Sequence, residues 1–515
     1  MPEGKGVGCG SGSSGKLCNV SYLACRRTIG GKQQGIVDSR GFCTRFPGFG
    51  EKIGTPLSSF RAICATTGGW PFPYGSEAID FMATADRGDV GARSGVRGFD
   101  GQIQGSFPLK CRHCEEELRE KFLDLGVMPP SNAYLSKENL EKPEPKYPLK
   151  LMVCTNCWLV QTEDFVGRSE LFTSDYAYFS STSKSWLRHA ADYCEKIIPR
   201  LGLGPKSLVV EIASNDGYLL KNFLAAGIQC LGIEPTESTA AAAEALGIPV
   251  MREFFGEKLG RALAAEGKQA DLIIGNNVFA HVPDINDFAK GLKALLKPKG
   301  TITLEFPHLM KMIEFNQFDT AYHEHFSYLS FGTAKTILEK AGLSIWDVQG
   351  LATHGGSLRI YTGHSNEAHA ETVAVAAVLA EERRRGIQKT DLYKTFQGKA
   401  DRIRDEFRSF LEGQKVSGRK VAAYGAAAKG NTLLNYANIK SDLLPFVCDA
   451  ATAKQGKLMP GSRIPIVPAS VLKEQLPDCL VILPWNIAEE IRQQNLDIEK
   501  AGARFVTVIP EIRNL

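Results

Sequence analysis

The chain has 515 residues, enough for roughly two to four domains, and 43% of them are hydrophobic and 23% charged, as in ordinary globular proteins. A formal net charge of +4 gives no electrostatic basis for a nucleic-acid or anionic-membrane partner. No apolar run approaches the roughly 20 residues of a membrane helix, and the start has no signal-peptide core, so we expect a cytoplasmic protein. Its thirteen cysteines then indicate metal binding or free thiols rather than disulfides.

Residues 1–106 differ from the rest of the chain. Glycine makes up about a fifth of them, and neither helical nor strand periodicity is visible. Such a segment buries too little apolar surface to offset its ordering entropy, so we predict disorder and assign its cysteines no metal. A start codon assigned too early would explain the segment, and a native N-terminal peptide that begins before Phe107 would contradict that explanation.

Two cysteine pairs mark a compact segment at residues 107–168. Each pair has C-x-x-C spacing: Cys111 with Cys114, and Cys154 with Cys157. This spacing puts two thiolates on one tight turn, and two such turns complete a closed tetrahedral site, which predicts structural zinc. The long interval between the pairs requires a folded insertion. Unrelated cysteines or a redox pair are the alternatives, and His113 would be a surplus ligand.

Strand and helix patterns alternate through residues 169–365. The apolar runs "SLVVEIA", "IQCLGIEP", "ADLIIGNN" and "GTITLEFP" suit buried parallel strands, and helical patterns separate them. This order predicts right-handed βαβ units in a doubly wound α/β sheet. Residues 366–418 are charged and helical, and we predict helices that bridge two domains. A second α/β unit occupies residues 419–515.

The stretch "LVVEIASNDGYLL" predicts a strand, a turn and a helix. Glu211 ends the strand, Gly217 lies in the turn, and Glu234 ends the next strand, where an acidic side chain can accept both hydroxyls of a ribose. Ala213 and Asn215 stand where the general methyltransferase loop has glycine. The pattern fits both class I S-adenosylmethionine (SAM) methyltransferases and nicotinamide-binding folds, and a plain structural turn is a third interpretation.

Later residues favour SAM over a nicotinamide. Phe254 and Phe255 follow a third strand, where a ring could border adenine or pack in the core. Asn276 and Asn277 end the fourth strand, before a loop that carries His281. Further on, "AYHEHFSYLSF" gathers two histidines, a glutamate and two tyrosines. These side chains can donate or accept protons in catalysis, although a polar surface loop would have the same composition.

Six stretches occur in one order: "CRHC…NAYL…YPLKLMVCTNCWLVQ", "DYAYFSSTS", "EIASNDGYLL", "NNVFAHVPDINDF", "FDTAYHEHFSYLS" and "THGGSLRIY". Together they resemble the zinc-containing, SAM-dependent sugar C-methyltransferases over roughly residues 107–515. The resemblance implies a class I methyltransferase Rossmann-like domain between an N-terminal four-cysteine zinc domain and a C-terminal second Rossmann-like α/β domain. It also implies SAM and structural Zn²⁺, and methyl transfer to C-3 of a nucleotide-linked, typically TDP-linked, 4-keto deoxysugar.

The "YHEH" motif carries the catalytic residues of that family, and the matching residues here are Tyr322, Glu324 and His325. Carbon methylation next to a ketone needs a base and a stabilised enolate, and histidine suits the base because its pKa lies near working pH. We therefore predict His325 as the base, with Glu324 orienting it or binding the sugar and Tyr322 positioning substrate or enolate. His281 is a second candidate, as an oxyanion donor, and Tyr176 would close the pocket.

In an extended segment the side chains of this motif would alternate between two faces, so they can meet one substrate only if the backbone bends. His323 is assigned no role. The predicted cofactor-binding residues are Glu211, Ala213, Asn215, Asp216, Gly217, Glu234, Phe255 and Asn277.

Substrate contacts are predicted from "THGGSLRIY" and from the second α/β unit. His354 and Gly355 offer close approach, whereas Arg359 could meet a phosphate or pair at the surface. In the second unit Asp449 follows Gly425 as in a nicotinamide site. The resemblance instead implies sugar-nucleotide binding, with Lys429 and the loop N–H groups on a pyrophosphate, Asn431 assisting and Trp485 stacking on a base or packing in the core. A degenerate fold without ligand is the alternative for this unit.

The leading interpretation is a sugar C-methyltransferase with a nucleotide-sugar substrate. The alternatives are an O- or N-methyltransferase on another small molecule, an NAD-dependent oxidoreductase that uses the C-terminal unit, and a zinc-bearing binding module. A monomer is compatible with the sequence. The sequence does not define the sugar, the nucleotide, the stereochemistry or the oligomeric state.

Overall fold

The computed structural model describes residues 109–163, 179–367 and 369–515, together with four two-residue strands nearer the N-terminus. The chain divides into two units, Met1–Arg97 and Gly98–Leu515. The strands of the first unit form two antiparallel pairs: β1 (Thr28–Ile29) with β2 (Lys32–Gln33), and β3 (Ile36–Val37) with β4 (Cys43–Thr44). Apart from these strands, the prediction of disorder for residues 1–106 falls outside the described residues.

The second unit contains the remaining strands. They are β5 (Glu120–Met128), β6 (Tyr147–Val153), β7 (Val160–Thr162), β8 (Leu208–Ile212), β9 (Gln229–Ile233), β10 (Val250–Met251), β11 (Ala270–Asn276), β12 (Leu296–Pro307), β13 (Ser327–Tyr328), β14 (Leu343–Leu351), β15 (Ser357–His364), β16 (Val421–Tyr424), β17 (Val447–Cys448), β18 (Ile466–Val467), β19 (Cys479–Ile482), β20 (Arg504–Thr507) and β21 (Arg513–Asn514). They form three separate sheets.

Helices connect these strands, and side-chain caps fix several of their ends. They are α1 (Lys184–Leu201), α2 (Leu220–Ala225), α3 (Glu237–Ala245), α4 (Glu257–Ala265), α5 (Ile285–Leu295), α6 (Leu309–Glu314), α7 (Phe331–Lys340), α8 (Val373–Arg385), α9 (Thr390–Lys394), α10 (Phe396–Val416), α11 (Ala428–Tyr436), α12 (Val471–Glu474), α13 (Ala488–Gln494) and α14 (Leu496–Lys500). Ser183 caps α1 and Asp284 caps α5, each by accepting backbone N–H groups of the first turn. Among the described residues, no helix combines the length and apolar character that a membrane crossing requires.

The central sheet has seven strands in the order β10-β9-β8-β11-β12-β15-β14. The four apolar runs predicted as strands are β8, β9, β11 and β12, and they pair in parallel. β14 and β15 add an antiparallel edge. From β8 the chain continues to β9 and β10 on one side of β8, and then crosses to β11 on the other side. This reversal of strand order opens a crevice at the carboxyl ends of β8 and β11.

The C-terminal sheet repeats this plan with six strands in the order β18-β17-β16-β19-β20-β21. All its pairs are parallel except the last. Its crevice lies at the carboxyl ends of β16 and β19. The predicted doubly wound α/β fold with a second α/β domain is confirmed.

The third sheet carries the cysteine pairs and has the order β13-β7-β6-β5. Its edge strand β13 comes from the far side of the central domain and pairs Ser327 with Gln161 of β7. β13 directly follows the "YHEH" motif. The four-stranded sheet therefore fixes the end of that motif.

Helices α8 to α10 connect the sheets. Glu382 of α8 is buried and accepts N–H groups of Phe331 and Gly332 at 2.6 and 2.9 Å, which caps α7. Phe396 of α10 stacks on Phe122 of β5 with ring centroids 4.7 Å apart. One hydrophobic core consequently runs from the four-stranded sheet through α10 into the C-terminal sheet.

Candidate active site

The four cysteines form two matching turns. In each turn the residue after the second cysteine, Glu115 or Trp158, has positive φ and donates its N–H to the carbonyl of the first cysteine at 2.9 and 2.8 Å. The four Sγ atoms lie within 4.8 Å of one another, and two cross-pairs are 3.5 Å apart. Zn–S bonds of about 2.3 Å give tetrahedral S···S edges of about 3.8 Å. The four thiolates therefore fit zinc.

The first cysteine turn docks on the central domain. His113 is buried, and its Nδ1 lies 2.7 Å from Oδ1 of Asn286, so its ring faces α5. Arg112 donates to the carbonyls of Pro283 and Thr162 at 2.8 and 3.0 Å. These contacts hold the four-stranded sheet next to the crevice of the central sheet.

A cavity of about 650 Å³ lies at the carboxyl edge of the central sheet, and segments that follow strands of the other two sheets complete its walls. The predicted residues that line it are Ala213, Asn215, Glu234, Phe255, Asn277, His281, Tyr322, Glu324, His325, His354 and Lys429. The predicted residues outside its lining are Glu211, Asp216, Gly217, Gly355, Arg359, Asn431 and Trp485. Tyr176 lies outside the described residues, so its predicted role stays a prediction.

The loop after β8 forms the cofactor side of the cavity. Asn215 has φ +51° and donates its N–H to Glu234 Oε2 at 2.9 Å, while its side-chain oxygen accepts the N–H of Ser180. Gly217 has φ +75°, and a Cβ there would lie 2.5 Å from Ile248 Cδ1, so this glycine permits close packing of the loop on the domain. The loop does without the glycine-rich pattern because Ala213, at φ +57°, and Asn215 accept positive φ.

Glu211 and Asp216 are buried behind this loop, outside the cavity lining. Asp216 Oδ2 accepts the N–H of Ser181 at 3.0 Å, which fixes the chain before α1. Burial raises the pKa of Glu211 well above its ordinary value, and the Tyr218 hydroxyl opposes the shift. A cation placed beside Glu211 would relieve this unfavourable burial.

Polar atoms at the end of β11 are positioned for a ligand. The side-chain oxygens of Asn276 and Asn277 are buried at the cavity and accept no hydrogen bond from the described residues. Asn277 Nδ2 donates to His354 Nε2 at 3.1 Å. Burial and the nearby Lys429 ammonium lower the pKa of His354 to about 4, so its ring is neutral. Buried acceptors without donors fit a cofactor that carries an ammonium group and hydroxyls.

The "YHEH" motif bends sharply, as the sequence required. The N–H of His325 donates to the carbonyl of Tyr322 at 3.0 Å, which closes a turn and brings Tyr322, Glu324 and His325 to one cavity. His325 Nε2 lies 2.6 Å from the Tyr322 hydroxyl. The backbone of Thr320 also bonds the His325 ring, so Nε2 is the acceptor and Tyr322 the donor.

His281 and His325 of the cavity are neutral. The His281 and His325 rings meet edge to face with centroids 4.4 Å apart. Burial lowers the pKa of His281 to about 4. Burial, with the nearby His281 ring and Lys429 ammonium, lowers the pKa of His325 well below 6.5. His323 points away, with Nε2 3.2 Å from the carbonyl of Tyr147. His325 is therefore an unprotonated ring that could accept a proton.

The C-terminal domain contributes a buried cation. Lys429 at the start of α11 makes one hydrogen bond within the described residues, to Asn486 Oδ1 at 3.3 Å, and its ammonium lies 4.6 Å from the Trp485 ring centroid. Trp485 Nε1 donates to Asp319 Oδ2 at 2.7 Å. Burial lowers the pKa of Lys429 to about 8 and raises that of Asp319 to about 6. An ammonium has three donors, so Lys429 can still bind an anion.

Three other predicted substrate residues have structural partners or packing positions. Arg359 is 4% exposed and donates to the fully buried Glu305 at 2.6 Å, so the structure pairs this arginine behind the cavity wall. A Cβ on Gly355, at φ +85°, would lie 2.2 Å from the Trp485 ring, so this glycine lets the central domain contact the C-terminal domain. Asn431 is fully buried within α11.

Several cavity residues were missed by sequence reasoning. Asn132 and Tyr134 belong to the "NAYL" stretch, which entered the family resemblance without a role. His189 belongs to α1, and its Nε2 lies 2.9 Å from Glu305 Oε2. Lys454 comes five residues after Asp449 and donates to its Oδ2 at 3.4 Å. No spacing signal marks these four residues, because each reaches the cavity only through tertiary packing.

Three family models match the chain in succession. A model described as a putative zinc binding domain matches residues 111–172, one described as a methyltransferase domain matches residues 186–348, and one described as the C-methyltransferase C-terminal domain matches residues 352–510. The fold and the matches define a class I methyltransferase. Its cofactors are SAM, which the methyltransferase domain implies, and zinc, which the zinc-binding match and the cysteine cluster imply.

A characterised relative narrows the class. The C-methyltransferase NovU of Streptomyces niveus is 35% identical over 404 residues, which cover 78% of this chain and 96% of that protein. The chain therefore belongs to the family of zinc-containing C-methyltransferases. Solved structures are more distant: the PH0226 protein from Pyrococcus horikoshii has a TM-score of 0.31 at 13% identity and covers 38% of this chain and 100% of its own. A SAM-dependent methyltransferase from Clostridium acetobutylicum has a TM-score of 0.28 at 10% identity and covers 35% and 92%.

Proposed function

We propose that this C-methyltransferase acts on a nucleotide-linked, TDP-type 4-keto deoxysugar and uses His325 as its general base. The supporting observation is a neutral, buried His325 whose Nε2 accepts a hydrogen bond from Tyr322. It lines the same cavity as Glu234 and Asn277 on the cofactor side. A base that is unprotonated near neutral pH and close to a hydroxyl donor suits deprotonation next to a ketone.

In the proposed reaction each residue of the cavity has a separate task. The C–H bond next to the ketone breaks, its proton reaches His325 Nε2 directly or through the Tyr322 oxygen, and its electron pair forms an enolate. The enolate carbon would then take the methyl group that SAM supplies as the S–CH₃ bond breaks, which would leave S-adenosylhomocysteine in the crevice lined by Glu234 and Asn277. The Glu324 backbone bonds the ring of neutral His281, which has one N–H. The Tyr322 hydroxyl donates to His325 Nε2, so it becomes free to donate to the enolate oxygen only once His325 holds the proton.

Lys429 supports an anionic, nucleotide-linked substrate. Its buried ammonium makes a single hydrogen bond, and it stands at the first turn of α11, where backbone N–H groups also favour anions. A pyrophosphate would neutralise this cation. Lys454, which lines the same wall, donates to the carbonyl of Ala426 at 2.9 Å and braces the loop before α11.

The test uses the purified protein, SAM and a panel of TDP-linked and other nucleotide-linked 4-keto deoxysugars, followed by mass spectrometry and NMR. We expect one added methyl group and loss of the C-3 proton signal. A His325→Gln variant should bind SAM and form no product. Methylation at oxygen or nitrogen would favour the alternative transferases, and NADH-dependent reduction without SAM binding would favour the oxidoreductase. We expect the enzyme to act in the cytoplasm without a nucleic-acid partner.

A further inference from the structure

We propose that Asn132, which lies between the two cysteine pairs, is a positioning residue for Glu324, so that the zinc-bearing part of the chain helps to set the geometry of the reaction. The inference rests on the proposed function, because it concerns the same reaction. No motif spacing predicts the contact, since the two residues are 192 positions apart.

The contact itself is short and shielded. Asn132 Nδ2 donates to Glu324 Oε1 at 2.8 Å, and Glu324 is 2% exposed. An ionised carboxylate only accepts hydrogen bonds, so it must face the amide NH₂ group of Asn132. A hydrogen bond to a buried carboxylate is strong because little water competes for the oxygen. Asn132 thereby holds one carboxylate oxygen of the residue next to His325.

The segment around Asn132 is fixed to the C-terminal domain. The Tyr134 hydroxyl donates to the carbonyl of Ala426 at 2.6 Å, and Ser131 Oγ lies 3.2 Å from Thr432 Oγ1. Thr432 in turn donates to the carbonyl of Ala321, the residue before Tyr322, at 2.9 Å. Residues 131–134 therefore contact both the catalytic turn and α11, and this gives Asn132 a defined position from which to hold Glu324.

The kinetic test compares Asn132→Ala, Asn132→Ser and Asn132→Asp on a sugar that the wild type methylates. We expect kcat to fall about tenfold in the alanine variant and further in the aspartate variant, which has the same shape but places a like charge against Glu324. Serine keeps a donor and should lose less. SAM affinity, zinc content and sugar KM should change by less than about twofold, because Asn132 acts by positioning Glu324 and is not proposed to bind SAM, zinc or the sugar itself.

Asn139→Ala is the matched control, since this exposed residue belongs to the same inter-pair segment. A purely structural role for Asn132 predicts the opposite order, with the isosteric aspartate milder than alanine. That order, an unchanged kcat, or a loss confined to KM would overturn the inference.

A second measurement needs no substrate. Thermal unfolding of Asn132→Ala, Glu324→Ala and the double variant reports on the hydrogen bond itself. We expect the double variant to lose less Tm than the sum of the two single losses, and additive losses would overturn the inference. This result is independent of which acceptor is methylated. A wild type inactive on every sugar would thus contradict the proposed function alone.

Discussion

The two α/β sheets share one plan but differ at their crevices. Each has a small-residue loop after its first strand and an acidic residue after its second, Glu234 in the central sheet and Asp449 in the C-terminal sheet. Glu234 accepts the N–H groups of Asn215 and Thr236 and still lines the cavity. Asp449 accepts the N–H groups of Ala426 and Ala451 at 2.7 and 2.8 Å, pairs with Lys454 at 3.4 Å, and lies outside the cavity lining.

This difference shows that strand order locates a crevice, whereas side chains decide what fills it. In the first crevice the side-chain oxygens of Asn276 and Asn277 accept no hydrogen bond from the described part of the chain, which suits a ligand that carries donors. In the second crevice Asp449 is engaged by the N–H groups of Ala426 and Ala451 and by Lys454, and Lys429 faces the shared cavity. The nicotinamide-like spacing of Gly425 and Asp449 therefore reflects a common fold and does not require a second nucleotide cofactor.

The largest expected effect comes from His325, at the first crevice. His325→Ala should lower kcat by about 10²–10⁴-fold, because it removes the proposed base, and should leave SAM affinity unchanged. Single-turnover kinetics and SAM titration measure the two quantities. His323→Gln is the control and should stay within about threefold of wild type, since His323 faces Tyr147 outside the cavity. Full activity in His325→Ala would remove this residue from the mechanism.

The acidic residues of the two crevices allow a direct comparison. Glu234→Gln should weaken SAM binding by about tenfold to hundredfold, because a hydrogen bond to a charged group contributes about 1.5–3 kcal/mol. Asp449→Asn should leave SAM affinity unchanged. Calorimetric titration checks both, and wild-type protein should give no heat with NADH. Equal effects of the two substitutions on SAM, or binding of NADH, would contradict the contrast between the crevices.

Lys429 tests what the second crevice contributes. Lys429→Met should raise the KM of the nucleotide sugar about tenfold, because a charge-assisted contact to an anion is lost, while SAM affinity is unchanged. Inhibition by free TDP should weaken in parallel. Lys415→Met, at an exposed lysine of α10, is the control. If KM and TDP inhibition do not change, Lys429 does not contact the nucleotide.

The smallest expected effect is a change in pH dependence. Burial lowers the pKa of Lys429 to about 8, so its charge is lost as pH rises through about 8, and kcat/KM should have halved near that pH. Burial also lowers the pKa of His325 well below 6.5, so the base stays neutral until pH falls below that depressed value. Lys429→Arg keeps its charge and should lose the basic limb. A basic limb unchanged in this variant would assign it to another group.

The parts of the molecule that could be predicted are those that depend on residues close together in the sequence. The cysteine pairs, the strands β8, β9, β11 and β12, and Glu234 follow from residues close in sequence. The bend at Tyr322–His325 was required by the alternation of side chains along an extended segment, and the structure contains it. Local spacing therefore selected residues that the structure brings to one cavity, Glu234 and the Tyr322–His325 turn, and their roles stay predictions.

The remaining contacts depend on packing between distant segments. From the sequence, Arg359 was equally compatible with phosphate binding and with a surface ion pair, whereas in the structure it pairs with the fully buried Glu305. Trp485 bonds Asp319 from another domain, and Asn132 bonds Glu324 across the four-stranded sheet. No periodicity encodes such pairs, because each forms only after separate elements have docked. Glu211, Asp216 and Gly217 were found by motif, yet they support the loop from below instead of lining the cavity.

The pairing of β13 with β7 has a consequence for engineering. The strand that follows the Tyr322–His325 turn is an edge of the four-stranded sheet, and Thr432 of α11 donates to the carbonyl of Ala321, just before the turn. The position of this turn therefore depends on several segments of the chain. A chimera that exchanges only the C-terminal half with a relative would place one parent's helix against the other parent's turn. Productive crossover points must keep residues 131–134, 319–328 and 426–432 from the same parent.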